Sequence, residues 1–171
     1  MRWAMAHPIA AIKAKHHLKE IIIIYKEVKL SKILDTINSG GKLDAFRHTF
    51  AMAYLVRFIG ERKLKTLGIA HEKDNKLIFY KGKSEDGERA DSLSCEMDLR
   101  NNELGYSIGV QYKTQNINDL KQIVLNQILM GNAWHLKKNN QSQYLSCNDE
   151  IIDIKNYKDK WAIPKCLIKT N

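Results

Sequence analysis

Three short polar clusters, at residues 44–48, 71–72 and 97–105, lie within stretches that are otherwise largely apolar. They contain carboxylates and imidazoles, and imidazole titrates near neutral pH, which makes it a common general acid or base. The candidate catalytic residues are Asp44, His48, His71, Glu72 and Asp98. Polar groups on buried apolar elements are unfavourable unless they face each other or a ligand. The clusters are therefore expected to form one shared site.

The first and third clusters also contain the residues expected to bind substrate. We interpret His48 as a general base or metal ligand that Asp44, one helical turn earlier, orients. Arg47 presents a rigid fork of donors that suits a phosphate or a carboxylate. Asn101 and Asn102 can position a substrate or stabilise an oxyanion. These roles together describe a hydrolytic site for an anionic substrate.

The hydrolytic step can be supplied by a carboxylate pair or by a metal ion. Asp98 and Glu72 can serve as its acid and base. Alternatively, a divalent metal ion can lower the pKa of a bound water and create the nucleophile. The candidate metal ligands are His48, His71, Glu72 and Asp98. The HExxH motif of zinc proteases is absent, because Asn75 stands where its second histidine would be.

The spacing within the clusters indicates helices. The first cluster places its charged residues at positions i, i+3 and i+4, and the third repeats that spacing from Asp98, so each helix has one polar face. The first of these helices is predicted from about Lys42 to Ile59. The other is predicted from a cap at Asp91-Ser92 to about Gln111. They are expected to form two walls of the site, within a motif core at residues 43–109.

The remaining start and stop signals complete a prediction of about five helices in an all-α fold. Pro8 suits the first turn of the opening helix. A third, shorter helix is predicted from Glu61 to about Ala70, where Gly68 weakens its end, and His71-Glu72 lies at or just past that end. The fifth is capped by Asn116 and stopped by Gly131-Asn132.

Two regions of the sequence are not predicted to be helical. Residues 73–91 are polar apart from the apolar Leu77–Tyr80, which predicts a short strand or a covering flap. A polar loop of this length in a compact domain is usually functional or disordered, so a lid over the site is expected. The tail from Ala133 to Asn171 is mixed, and short extended pieces are predicted to pack there on the helices.

The length and charge of the chain restrict its class. The 171 residues fit one domain, residues 1–171, and a hydrophobic content of 44% is typical of a globular protein. The net charge of +9 favours an anionic partner: nucleic acid, a membrane surface, or a phosphorylated or acidic substrate. If this positive charge is spread over the surface, its only role is to keep the protein soluble.

The cysteines and the apolar segments indicate where the protein would be located. Cys95, Cys147 and Cys166 form no CxxC pair, which argues against a common zinc site and leaves one disulfide plus one free thiol open. No apolar stretch is long enough to span a bilayer, and no Sec signal is evident. The chain is expected to be cytoplasmic, secreted or delivered into a target cell by another route, or part of a longer exported protein.

The order of the motifs resembles a known family. His7-Pro8, the clusters at 44–48 and 70–72, and the pattern at 97–109 look like an uncharacterised bacterial helical domain. That family is found in secreted proteins and at the C-termini of polymorphic toxins. Ala51 stands where a tryptophan often follows in the family, which changes the shape of the pocket. The resemblance covers about Pro8 to Gly109 and implies a toxin or effector domain with an enzymatic site.

These observations lead to one preferred function and two alternatives. The preferred function is an antibacterial effector toxin, a hydrolase of an anionic cell-envelope lipid or peptidoglycan precursor, with a cognate immunity protein. The first alternative is a nuclease toxin, which the positive charge also suits. The second is a non-enzymatic binding or structural protein that holds Arg47, His48 and Asp98 as a buried network.

Overall fold

The computed structural model describes residues 2–82 and 89–171 and is predominantly helical. The predicted all-α fold is confirmed, and the chain forms a single domain with a short tail. The helices are α1 (Arg2–Ala6), α2 (Pro8–Ser31), α3 (Lys42–Ile59), α4 (Glu61–Tyr80), α5 (Ser92–Gln111) and α6 (Ile117–Leu129). The strands β1 (Trp134–Leu136) and β2 (Leu167–Lys169) follow in the tail, separated by a 3-10 turn at Ile154–Tyr157.

Helix α3 is central to the bundle and packs closely against α5. The side chains of Leu43, Phe46, Phe50 and Ala53 are buried along α3. The two backbones approach closely because α5 presents glycine there: a Cβ on Gly109 would lie 2.2 Å from the Ala53 carbonyl oxygen. This close approach brings the polar faces of the two helices together.

The predicted N-termini of α5 and α6 are confirmed by their caps. The Asp91 carboxylate accepts hydrogen bonds from the backbone N–H groups of Leu93 and Ser94, at 2.9 and 3.1 Å. The Ser94 hydroxyl accepts in return from the Asp91 N–H, which completes a capping box. The Asn116 side chain caps α6 in a similar way. These caps satisfy N–H groups that have no partner within the helix.

The prediction for α4 was wrong, because this helix continues to Tyr80. Gly68 does not end it; a Cβ there would lie 2.9 Å from the Tyr106 hydroxyl and 3.1 Å from Asn102 Nδ2, so the glycine makes room for α5. Leu77–Tyr80, predicted as a strand or flap, forms the last turn of α4. The predicted lid is therefore reduced in length, and its residues 83–88 lie outside the described residues.

The tail is mixed and partly extended, as predicted. Strand β1 pairs antiparallel with β2, with His135 opposite Ile168. A disulfide joins Cys147 to Cys166, and Cys95 is a buried free thiol. The tail packs on α5 through a small second core made of Met97, Leu136, Tyr144 and Ile152. Within residues 2–82 and 89–171, none of the helices has the length and hydropathy needed to cross a membrane.

Candidate active site

A groove of about 900 Å³ opens between the helices and the tail. Its floor is formed by α3 and α5, and α2, α4 and the tail form its sides. Six of the eight predicted site residues line it: Asp44, Arg47, His48, His71, Asp98 and Asn102. The two remaining residues, Glu72 and Asn101, are turned away from the groove.

The predicted convergence of the two polar helix faces is observed at His48. Its Nε2 atom lies 3.3 Å from Asp98 Oδ1 on α5 and 3.6 Å from Asp44 Oδ1 on its own helix. The Nη2 atom of Arg47 lies 2.7 Å from Asp44 Oδ1 and 3.2 Å from His48 Nε2. One imidazole, two carboxyl groups and one guanidinium therefore meet at a single point of the groove floor.

The start of α3 holds Asp44 in place. The Gly40 N–H donates a 2.7 Å hydrogen bond to Asp44 Oδ2, and Gly40 has a φ of +73°, in the region that glycine adopts most readily. Asp44 also lies in the first turn of the helix, where a negative charge is favoured. The turn thus fixes one carboxylate oxygen and leaves the other facing Arg47 and His48.

Burial raises the pKa of both carboxyl groups, but the two environments differ. For Asp44, the Arg47 guanidinium and the Gly40 N–H oppose the effect of burial on the pKa. The pKa of Asp98 is raised well above its usual value, by burial first and then by the negative charges of Asp44 and Glu72. Of the two carboxyl groups, Asp98 therefore has the environment that favours the protonated form more strongly.

The pKa of His48 is lowered well below its usual value. Burial is the main cause, and the positive charges of Arg47 and His71 add to it, whereas a hydrogen bond with the Asn102 side chain opposes it. At neutral pH the imidazole is therefore uncharged and able to accept a proton. A neutral imidazole next to a carboxyl group whose pKa is raised is an arrangement that suits general acid–base catalysis.

The second cluster, His71-Glu72, supplies only one groove-lining residue among those described, although the sequence predicted that both would belong to the site. His71 is exposed on α4 and reaches the groove. Glu72 is buried beside the groove, where its Oε2 accepts a 3.0 Å hydrogen bond from the Asn75 carboxamide. Burial raises the pKa of Glu72, and a hydrogen bond with the Cys95 thiol opposes that shift. Glu72 therefore acts on Asp98 through its charge, not through contact with a ligand in the groove.

The two asparagines of the third cluster have different surroundings. Asn101 Nδ2 donates to the Trp134 carbonyl, and Asn101 Oδ1 accepts from the Trp134 N–H, both at 2.9 Å. This pair of bonds fastens β1 to α5, so Asn101 does not meet the prediction of a substrate-binding role. Asn102 lines the groove, as His48 does. Neighbouring residues on a helix point in different directions, and here they serve different purposes.

A metal ion would have to bind through Asp44, His48 and Asp98. One ligand atom from each lies within 4.8 Å of the others, a grouping that includes neither His71 nor Glu72. The Arg47 guanidinium, however, already contacts Asp44 and His48 at this point. A divalent ion would be repelled by that fixed charge and would need to displace it. The donor set thus suits a metal chemically, but Arg47 competes with the ion.

The sequence analysis missed the part of the groove that the tail supplies. Lys165 is buried, its ammonium lies 2.5 Å from Asp91 Oδ2, and it covers the Tyr144 ring at 3.7 Å. Both tail residues line the groove, as does Arg89. Lys165 and Asp91 are 74 positions apart, so no local pattern could pair them. The only feature of the sequence that marked this part of the tail was Cys166, next to Lys165.

Comparison with known proteins identifies the family but no activity. Residues 1–132 match the family described as a domain of unknown function, DUF6973. The chain belongs to that family, and the match includes all eight residues proposed for the site. Neither the curated proteins nor the solved structures include one that matches this chain.

Proposed function

We propose that the protein is a hydrolase of an anionic substrate, with His48 as the general base and Asp98 as the general acid. The observation that carries the proposal is the 3.3 Å approach of the His48 imidazole to the Asp98 carboxyl group on the floor of an open groove, where burial lowers the pKa of the first and raises the pKa of the second. Two neighbouring groups whose surroundings drive their pKa values apart are typical of acid–base pairs. A purely structural network does not require an adjoining groove of this size.

The proposed cycle restores the site without an outside proton source. A water molecule gives a proton to His48 as its oxygen attacks the scissile group, and the leaving group takes a proton from Asp98. The proton then returns from His48 Nε2 to Asp98 Oδ1, which lies 3.3 Å away. Asp44 orients Arg47 and His48, and Arg47 binds the negative charge of the substrate.

The positive charges of the groove support an anionic substrate. Arg47 lies at its centre, and Lys29, Arg89 and Lys165 lie along its sides. The net charge of +9 also attracts an anionic substrate, over longer distances.

We further propose that the protein is an antibacterial effector that acts outside the cytoplasm, on an envelope lipid or a peptidoglycan precursor. The Cys147–Cys166 disulfide supports an oxidising compartment. The resemblance to domains at the C-termini of polymorphic toxins supports an effector role and a cognate immunity protein. An effector of this kind would be secreted or delivered into a target cell.

Directed expression tests this proposal. The chain should inhibit the growth of bacteria when it is exported to the periplasm, and much less when it is kept in the cytoplasm. Lipid and peptidoglycan-precursor extracts of the inhibited cells should show a hydrolysis product that is absent with an Asp98→Asn variant. Export without growth inhibition or product would contradict the proposal.

The net charge favours one second candidate, a nuclease toxin. A nuclease would inhibit cells from the cytoplasm and degrade DNA or RNA in vitro. The same pair of expression experiments therefore separates the two functions, because the compartment in which growth stops is opposite for each.

A further inference from the structure

Helix α2 exposes a face of alternating apolar and basic side chains that no other element covers among the described residues. Its inner side buries Ala10, Ile21, Ile24 and Val28. Residues spaced by three or four positions on the opposite side form one stripe along the helix. This outer stripe consists of Ile12, His16, Lys19, Ile23, Lys26 and Leu30.

The large hydrophobic side chains of this region are unusually exposed. Ile12 is 70% exposed, Ile23 is 54% exposed and Leu30 is 81% exposed. Residues 5–33 hold half of the large hydrophobic side chains that are exposed in the described part of the chain. Single exposed apolar residues are ordinary, but several strongly exposed ones along one side of a helix indicate an interaction surface.

The charge around the outer stripe is positive. Helix α2 contains only two acids, and both contact other groups: Glu20 lies 2.9 Å from His17 Nδ1, and Glu27 lies 2.7 Å from Lys121 Nζ. Lys15, Lys19 and Lys26 form no ion pair with a described carboxylate. Apolar side chains that alternate with unpaired lysines are complementary to the surface of a bilayer with anionic lipids.

We propose that the outer stripe of α2 docks on the surface of an anionic lipid bilayer. The helix would lie in the plane of the interface, with its isoleucines and Leu30 among the acyl chains and its lysines at the head groups. Ile12 and Leu30 are about 27 Å apart along the axis, which is long enough for stable contact with several lipids. This proposal rests on the surface alone and does not require the proposed hydrolase activity.

The groove opens on another side of α2. Leu18, Tyr25 and Lys29 line it, and they lie roughly 100–140° around the helix from the outer stripe. Docking of the stripe on a bilayer would therefore not cover the groove.

Vesicle flotation with the full chain tests the proposal. Wild-type protein should float with vesicles of phosphatidylcholine containing phosphatidylglycerol, and much less with phosphatidylcholine alone. The triple variant Ile12→Gln, Ile23→Gln, Leu30→Gln should lose this binding. A matched control triple, Val110→Gln, Leu129→Gln, Met130→Gln, removes apolar side chains of similar exposure elsewhere and should bind like wild type.

Charge variants separate the electrostatic component of bilayer binding from the apolar component. Replacing Lys15, Lys19 and Lys26 by glutamine should weaken binding by about fivefold for each lysine. The same replacement at Lys63, Lys73 and Lys113, exposed lysines of other segments, should weaken it much less. Raising the salt concentration should weaken wild-type binding, because it screens the lysines. A His48→Gln variant should bind vesicles normally even if it is inactive.

Three results would overturn the proposal. The first is a wild-type protein that does not float with anionic vesicles. The second is an apolar triple variant that binds as well as the control triple. The third is a dimer in solution that the apolar triple variant converts to a monomer, because a second copy of the chain would then cover the outer stripe.

Discussion

The helical bundle and the tail shape the same groove in different ways. The bundle supplies every predicted catalytic residue, whereas the tail adds Tyr144 and Lys165 to the wall. In the bundle, Glu72 Oε1 and Asp98 Oδ1 are buried without a hydrogen-bond partner. Throughout the described tail, residues 133–171, every buried side-chain nitrogen and oxygen has one.

We propose that the unsatisfied carboxyl groups beside the groove serve chemistry and that the paired groups of the tail serve stability. Burying an unsatisfied carboxyl group is unfavourable by roughly 1–3 kcal/mol, so it persists where function requires it. Lys165 in the tail is equally buried, but it is paired with Asp91 and lies on an aromatic ring. Variants in the bundle are therefore expected to lose activity, and variants in the tail to lose stability.

The largest expected effect is on activity, at His48. His48→Ala and His48→Gln should each lower the hydrolytic rate by about 10²–10⁴-fold, because the base is lost. Asp44→Asn should lower it less, since Asp44 orients the other groups and does not react. Growth inhibition and product formation measure the rate, and thermal melting shows whether each variant is folded.

The matched control for His48 is the tail histidine His135, which lies in β1 and does not line the groove. His135→Gln should remain active. If His48→Gln stays fully active, His48 takes no part in the reaction. If it is inactive only because it has unfolded, the buried-network interpretation is correct and the bundle does not differ from the tail in the way argued above.

The next largest effect is on the stability of the tail. Replacing Cys147 and Cys166 by serine should lower the free energy of unfolding by about 3 kcal/mol, the typical value for a loop of this length. Hydrogen exchange should rise mainly in residues 133–171 while the helical signal in circular dichroism is kept. A reductant should lower the melting temperature of wild type and leave the double variant unchanged. Equal melting of the two proteins without reductant would show that the disulfide does not stabilise the tail.

The sequence predicted the helices well where the signals for a boundary are local. Lys42–Ile59 was predicted with the boundaries that the structure shows, and the caps at Asp91 and Asn116 marked two starts correctly. The prediction failed at Gly68, where a glycine was interpreted as a weak helix end. The reason for that glycine is the packing of α5, and tertiary contact is not visible in a local pattern.

The candidate site was predictable in part for the same reason. Helical spacing placed His48 and Asp98 on facing surfaces, because i, i+3 and i+4 positions share a side. The same rule grouped Asn101 with Asn102, yet Asn101 holds the backbone of Trp134 in the tail. Lys165 could not be predicted, since only the path of the tail brings it to Asp91.

The smallest effect concerns the dependence of stability on pH, at Asp98. Its pKa in the folded protein is raised above the usual 3.8 by burial and by nearby carboxylates. Between these two pKa values the folded state holds a proton that the unfolded state has lost, so stability should fall as pH rises, by at most about 1.4 kcal/mol per pH unit. His48 has the opposite sign: its pKa is lowered, so stability should fall as pH drops below 6.5.

The difference between the denaturation profiles of wild type and Asp98→Asn isolates Asp98, because the amide cannot ionise. We expect Asp98→Asn to gain stability over wild type as pH rises through this range. Parallel profiles would mean that Asp98 titrates normally in the folded protein, and it could not then serve as the proton donor in the bundle.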